Sequence, residues 1–293
     1  GDDFIEQHPG ALLTGPDGET KCDQLFARYG KYYYPNMLNE WRRWNAQYLR
    51  DFIKILGESK YAPHVMGFYL AAMNTGEWWY YKPTPFVWDY SITRQKAYKK
   101  FLNMKYGSKL KEMTDTGWPG KSFNSNIFDL PTPIERNQRP VMPCSKVSDY
   151  NQVLNLPVTN AAVFFGKVIK TMTKNKLLTG LEMHSVLDCF PVNGSVFLSH
   201  IFDSGVIDIL GGPADYSDRG EGNSPWFRIA DGSLRKHKML WFNEGDYRFH
   251  SSYGTTTGAL GEPPATPNGT INVMRREFAR MMVKNYYTYL MDF

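Results

Sequence analysis

Two short stretches carry residue types that could do chemistry: "NTGEW", which holds Glu77, and "LWFNEGDYRF", which holds Glu244, Asp246 and Arg248. Each follows an apolar run that reads as a buried strand. Two acids facing each other are what glycosidic-bond hydrolysis needs: one protonates the leaving oxygen while the other attacks the anomeric carbon or activates water. Carboxyl groups about 5 to 5.5 Å apart retain configuration, and groups about 6.5 to 9.5 Å apart invert it. A lone glutamate at a strand end is more often a solvated or salt-bridged loop residue, so the argument depends on both glutamates meeting.

Other chemistries find less footing. No "GxSxG" elbow supports a Ser-His-Asp triad, and "LGGPAD" lacks the spacing of a phosphate-cradling loop. His184, His200, His237 and His250 form no helix-spaced pair with an acid, so no metal site and no cofactor is expected. Cys22, Cys144 and Cys189 lie far apart, and their odd number leaves the redox compartment open.

The elements that must position the two glutamates follow an alternating pattern. Residues 38–56 place Leu38, Trp41, Trp44, Tyr48, Leu49, Phe52, Ile53 and Leu56 at three-four spacing, which predicts a helix. Strand runs are predicted in "HVMGFYLAAM", "LLTGLEMHSVLDCF", "VIDILGGP", "KHKMLWFNEGD" and "YTYLMDF". Helices are predicted in "NAAVFFGKVIKTMTKNK", "GSVFLSHIFDSG" and "NVMRREFARMMVKNY". Strand, helix and strand in repetition predict a parallel α/β fold. In a parallel barrel all strands end at one rim, where Glu77, Glu244 and Asp292 would converge. The chain reads as one domain over residues 1–293, with a loop-like leading segment over 1–35 and a long inserted loop region over 82–150.

Composition sets the frame. The 293 residues are 42% apolar and 22% charged, as in a folded protein. The net charge of +5 comes from bases interleaved with acids, which argues against nucleic acid as a partner. No run of about 18 apolar residues predicts a membrane span, and no leader peptide is visible. Aromatic residues reach 15%, and clusters such as "EWWYYKPTPFVWDY" suit the apolar faces of sugars as well as a core. Two sequons, at Asn193 and Asn268, lean weakly toward an extracytoplasmic location.

Together, "GFYLAAMNTGEWWYY", "GPADYSDRGEG", "HKMLWFNEGDYR" and "RREFARMMVKNYYTYLMDF" resemble the catalytic barrel of β-galactosidase-like glycoside hydrolases of family 42 and its relatives in clan A. The similarity runs from about residue 35 to the end of the chain. It implies a TIM-type (β/α)8 barrel of which this chain covers about strands four to eight, a carbohydrate substrate and a retaining mechanism. By motif, Glu77 would be the acid/base and Glu244 the nucleophile. Tyr216 in "PADY" resembles the hydroxyl that steadies the nucleophile, and Asp246 and Arg248 would brace the site. Trp78, Trp79 and Trp241 are candidates for sugar stacking, Trp241 equally for core. Where many clan members have Asn before the acid/base, this chain has Gly76, which leaves Asn74 to hold the sugar 2-hydroxyl. The first three barrel strands are not evident, so another chain or segment, or an oligomer, is expected to supply them. The competing reading is a non-catalytic structural or carbohydrate-binding protein built on the same partial barrel.

Overall fold

The computed structural model describes residues 2–26, 30–33, 38–72, 76–78, 88–116, 127–137, 146–183, 197–216, 218–252 and 263–291. The chain forms two compact units. The first comprises residues 1–63, 79–168 and 189–197, and the second comprises 64–78, 169–188 and 198–293.

The first unit holds helix α1 (Asp2–Gln7), an antiparallel hairpin of β1 (Asp23–Phe26) and β2 (Gly30–Tyr33), and helices α2 (Asn39–Gly57), α3 (Ile92–Tyr106), α4 (Leu110–Thr116) and α5 (Pro133–Asn137). It also holds most of α6 (Lys146–Met172). Two loop expectations are corrected here. The leading segment contains a helix and a hairpin, with Leu12 and Leu13 buried, and residues 82–150 contain α3, α4, α5 and the start of α6. The helix over 38–56 is found as α2, where Trp41 meets Phe165 of α6 edge-on at 5.6 Å.

Helix α6 begins well before the predicted 160–176 because it passes through Pro157, a residue that normally ends a helix by removing an amide donor and freeing the carbonyl four residues back. That carbonyl, on Val153, accepts instead from Arg94 Nη1 at 2.5 Å. Arg94 is fully buried and paired with Asp89 at 3.2 Å. Asp89 also accepts from the Ser91 amide at 3.0 Å, just ahead of α3, and Ser91 caps that helix by accepting from the Arg94 amide at 3.1 Å. One buried ion pair thus replaces the missing helical bond and anchors the start of α3.

The second unit is a five-stranded parallel sheet in chain order: β3 (Gly67–Leu70), β4 (Leu178–Glu182), β5 (Ile209–Pro213), β6 (Leu240–Asp246) and β7 (Tyr287–Met291). Helices α7 (Leu198–Phe202), α8 (Asp231–Lys236) and α9 (Pro267–Lys284) link successive strands. This is the repeating β/α unit of a partial barrel, and all five predicted strands are present. Alternation sorts their side chains. Leu181, Leu210, Trp241 and Asn243 are fully buried on one face, while Tyr69, Phe242 and Tyr289 meet on the other, with ring centroids 5.7 Å and 5.1 Å apart in sequence across the face. Among the described residues no helix is long and apolar enough to cross a membrane.

Candidate functional site: a carboxylate cluster at the strand ends

Parallel pairing brings the carboxyl ends of the strands to one edge. Glu244 pairs in register with Pro213 on one side and Tyr289 on the other, and Glu182, the last residue of β4, pairs with Gly211. Glu77 follows a tight closure in which the Ala72 amide donates to the Gly76 carbonyl at 2.8 Å. Gly76 has φ +91, a conformation that strains any residue with a Cβ.

Glu182 is the common neighbour of the two predicted glutamates. Its carboxyl is pushed up to about 8, first by burial and then by the negative charges of Glu244 and Glu77, while a hydrogen bond from Tyr69 works in the opposite direction. Tyr69 donates to Glu182 Oε2 at 2.5 Å. To reach it the ring crosses two strands: a Cβ on Gly180 or on Gly211 would collide with Tyr69. Burial raises the Tyr69 hydroxyl, and so does the Glu182 charge. The same holds for Tyr289, where burial is followed by the charges of Glu244 and Glu182. At neutral pH the raised carboxyl of Glu182 keeps its proton.

A second group braces the end of β6. Asp246 accepts from Tyr216 Oη at 2.9 Å and from Arg248 Nη1. Arg219, almost fully buried, donates to the carbonyls of Asp215 at 3.0 Å, Ala214 at 2.6 Å and Asp246. Its guanidinium lies 3.5 Å from the centroid of the Tyr216 ring, and Arg228 lies 4.9 Å from the same ring. Burial lowers the Arg219 pKa and raises that of the Tyr216 hydroxyl. Helix α9 holds the loop that carries these groups: Arg276 donates to the carbonyls of Arg219 at 3.0 Å, Gly220 at 2.6 Å and Asn223 at 2.7 Å.

The predicted residues are distributed as follows. Glu77 and Glu244 both act on Glu182. Tyr216, Asp246 and Arg248 form one hydrogen-bonded group, in which the Tyr216 hydroxyl and Arg248 engage Asp246. Trp78 is corrected as a stacking platform: it is 2% exposed, and its indole nitrogen donates to the Leu70 carbonyl at 2.8 Å. Trp241 is fully buried and belongs to the core. Asn74, Trp79, His184 and Asp292 lie outside the described residues, as do Cys144 and Cys189, while Cys22 is buried. Among the described residues no cluster of His, Cys, Asp or Glu could hold a metal ion.

Glu182, Tyr69 and Arg219 escaped the sequence reading. The signal for Glu182 was present, because "TGLE" ends an apolar run as "WFNE" does. The strand was read through to "HSVLDCF", which placed its rim too far along.

The amino-terminal ends of the strands border a 650 Å³ hollow lined by Met66, Tyr69, Leu178, Ile209, Phe242 and Tyr287, among others. That lining is mostly apolar.

The sequence matches no protein-family model and no curated protein. Its fold does match solved structures. The catalytic domain of β-amylase from Paenibacillus polymyxa aligns with TM-score 0.58 at 12% identity, over 96% of this chain and 67% of that one. β-Galactosidase from the psychrophilic Marinomonas ef1 aligns with TM-score 0.54 at 11% identity, over 97% of this chain and 48% of that one. An exo-β-agarase aligns with TM-score 0.54 at 14% identity, over 94% of this chain and 35% of that one. The chain thus spans about half or less of the length of the latter two. These neighbours are glycoside hydrolases of the clan A-like TIM-barrel type, and together with the parallel sheet the likeness establishes a partial (β/α) barrel.

Proposed function

We propose that the chain carries the two-carboxylate centre of a retaining glycoside hydrolase acting on β-linked sugars, with Glu244 as nucleophile and Glu77 as acid/base. The observation that carries this reading is the cluster at the strand ends, where Glu77 and Glu244 both act on Glu182. A pair of carboxyls carried to the strand ends of one parallel sheet is what glycosyl transfer requires. In the proposed reaction Glu244 attacks the anomeric carbon while Glu77 protonates the departing oxygen. Water then hydrolyses the glycosyl ester with Glu77 acting as base. The resemblance to family 42 and the β-galactosidase among the structural neighbours favour galactosides as first substrates to test.

Intact-mass spectrometry after incubation with an activated 2-fluoro-β-galactoside tests the assignment. A covalent adduct that maps to Glu244 and is missing from Glu244→Gln is the expected result. Sugar binding with no adduct at any carboxylate would leave the non-catalytic, carbohydrate-binding reading in its place.

A further inference from the structure

The ladder between β5 and β6 ends at the pair Pro213–Glu244. Beyond it the chain leaving β5 folds back on itself, with Ala214 bridged to Phe227 and the Asp215 amide donating to the Trp226 carbonyl at 3.0 Å. Among the described residues β5 and β6 form no further pair, and one side chain takes over. The three nitrogens of the Arg219 guanidinium donate to three different carbonyls: Nε to Asp215 at 3.0 Å, Nη2 to Ala214 at 2.6 Å, and Nη1 to Asp246, the last residue of β6. The fork is planar and rigid, so three carbonyls together fix its plane. The Tyr216 ring lies against that plane, its centroid 3.5 Å from the guanidinium carbon, and the Tyr216 hydroxyl donates to Asp246 Oδ2 at 2.9 Å. Asp246 is thus held twice, at its carbonyl by Arg219 and at its carboxylate through Tyr216. Glu244 lies two residues earlier on β6 and therefore on the same face. The base of the clamp is fixed in turn, because Arg276 of α9 donates to the carbonyl of Arg219 itself at 3.0 Å.

We propose that Arg219 is a positioning residue for Glu244: by clamping the ends of β5 and β6 beyond their last backbone pair, it fixes the stretch from Glu244 to Asp246 and sets the Tyr216 hydroxyl against it. The proposal rests on the reading of Glu244 as nucleophile given above. Arg219 makes and breaks no covalent bond. Its part is to keep the end of β6 in one place while the Glu244 carboxylate attacks and while the glycosyl ester is hydrolysed. A lysine at this position would keep the charge but would offer one nitrogen where the fork offers three.

Two readouts on the full chain test it. The first needs no activity. Tyrosines are replaced by meta-fluorotyrosine and followed by fluorine NMR, the Tyr216 signal being the one missing from Tyr216→Phe. In Arg219→Lys that signal is expected to move, and a signal at its wild-type position in the folded variant overturns the proposal. Should Arg219→Lys collapse the spectrum to that of an unfolded chain, Arg276→Ala serves instead, since it frees the base of the clamp without touching the three carbonyls. It is expected to move the same signal, and an unmoved signal there overturns the proposal equally.

The second is a double-mutant cycle on dinitrophenyl β-galactoside, whose leaving group needs no proton, so that attack by Glu244 is read without the acid. Misplacement of a reacting group by about 1 Å costs on the order of 10²-fold in rate. Arg219→Lys and Tyr216→Phe should each lower kcat and kcat/KM together, toward that size, as expected for an interaction made in the transition state. Because both act through the end of β6, the double variant should lose little more than the worse single one. Losses that multiply, or a rise in KM with kcat unchanged, would sink the positioning role while leaving the hydrolase intact. If the wild type forms no adduct on Glu244, the hydrolase reading fails by itself and the role of Arg219 falls with it, whatever the fluorine spectrum shows.

Discussion

The two predicted glutamates differ in what removal of each should do. If Glu77 is the proton donor, Glu77→Gln should lower kcat/KM about 10²- to 10⁴-fold for substrates with poor leaving groups and spare the dinitrophenyl glycoside, with azide restoring product as a glycosyl azide. Steady-state kinetics on paired substrates reads this directly, and equal losses on both would remove Glu77 from the acid role. Asp246 and Arg248 act differently, because Arg248 and Tyr216 engage Asp246. We propose that they brace the strand that carries Glu244. Trp78 shows how residue type alone misleads: an aromatic beside an acid suggested sugar stacking, but its ring is buried and its nitrogen is committed to a strand carbonyl.

Strands and helices set the tolerances of the site. Tyr69 reaches Glu182 because β4 and β5 carry glycine where it crosses, so Gly211→Ala should expel the Tyr69 ring. Overpacking of this kind costs about 1 to 3 kcal/mol. A fall in thermal midpoint is expected, and an unchanged midpoint would mean that the notch is not tight. Helix α9 contributes through Arg276, whose bonds to three carbonyls of the loop at 219–223 hold Arg219 over the Tyr216 ring. Arg276→Ala should therefore lower turnover while leaving the strands intact. Circular dichroism matching the wild type beside reduced kcat checks this, whereas full activity would show that the loop is held by other means.

For the molecule as a whole, the buried acid makes stability depend on pH. The folded-state pKa of Glu182 is raised from 4.5 to about 8, so between those values the folded protein binds more protons than the unfolded chain. Stability contributed by the protonated carboxyl is complete below about pH 4.5 and is lost as pH rises toward 8. The slope approaches about 1.4 kcal/mol per pH unit for one group, and a few kcal/mol are at stake across the window. Denaturant midpoints measured from pH 5 to 8 should decline in the wild type and decline less in Glu182→Gln. Parallel lines would refute the assignment of that proton to Glu182.

Much of this was legible without coordinates. Short apolar runs located all five strands of the parallel sheet, and three-four spacing located α2 and α9, because a helix that buries one face must repeat its apolar residues at its own geometric period; α8 went unread. Glu77 and Glu244 were recognisable because polar residues closing an apolar run mark a strand end. Local pattern failed where the cause was tertiary. Helix α6 runs through Pro157 only because Arg94, far away in sequence, takes up the orphaned Val153 carbonyl. Glu182 became visible as a partner of both predicted glutamates only when the sheet set β3, β4 and β6 in register, since the coupling of charges depends on distance and burial, and neither is written in the order of the residues. By itself the sequence determined which segments are strands and that Glu77 and Glu244 lie near the ends of two of them. The packing of the strands decided which of the clustered acids keeps a proton, because a carboxyl ionises according to the water and charges around it.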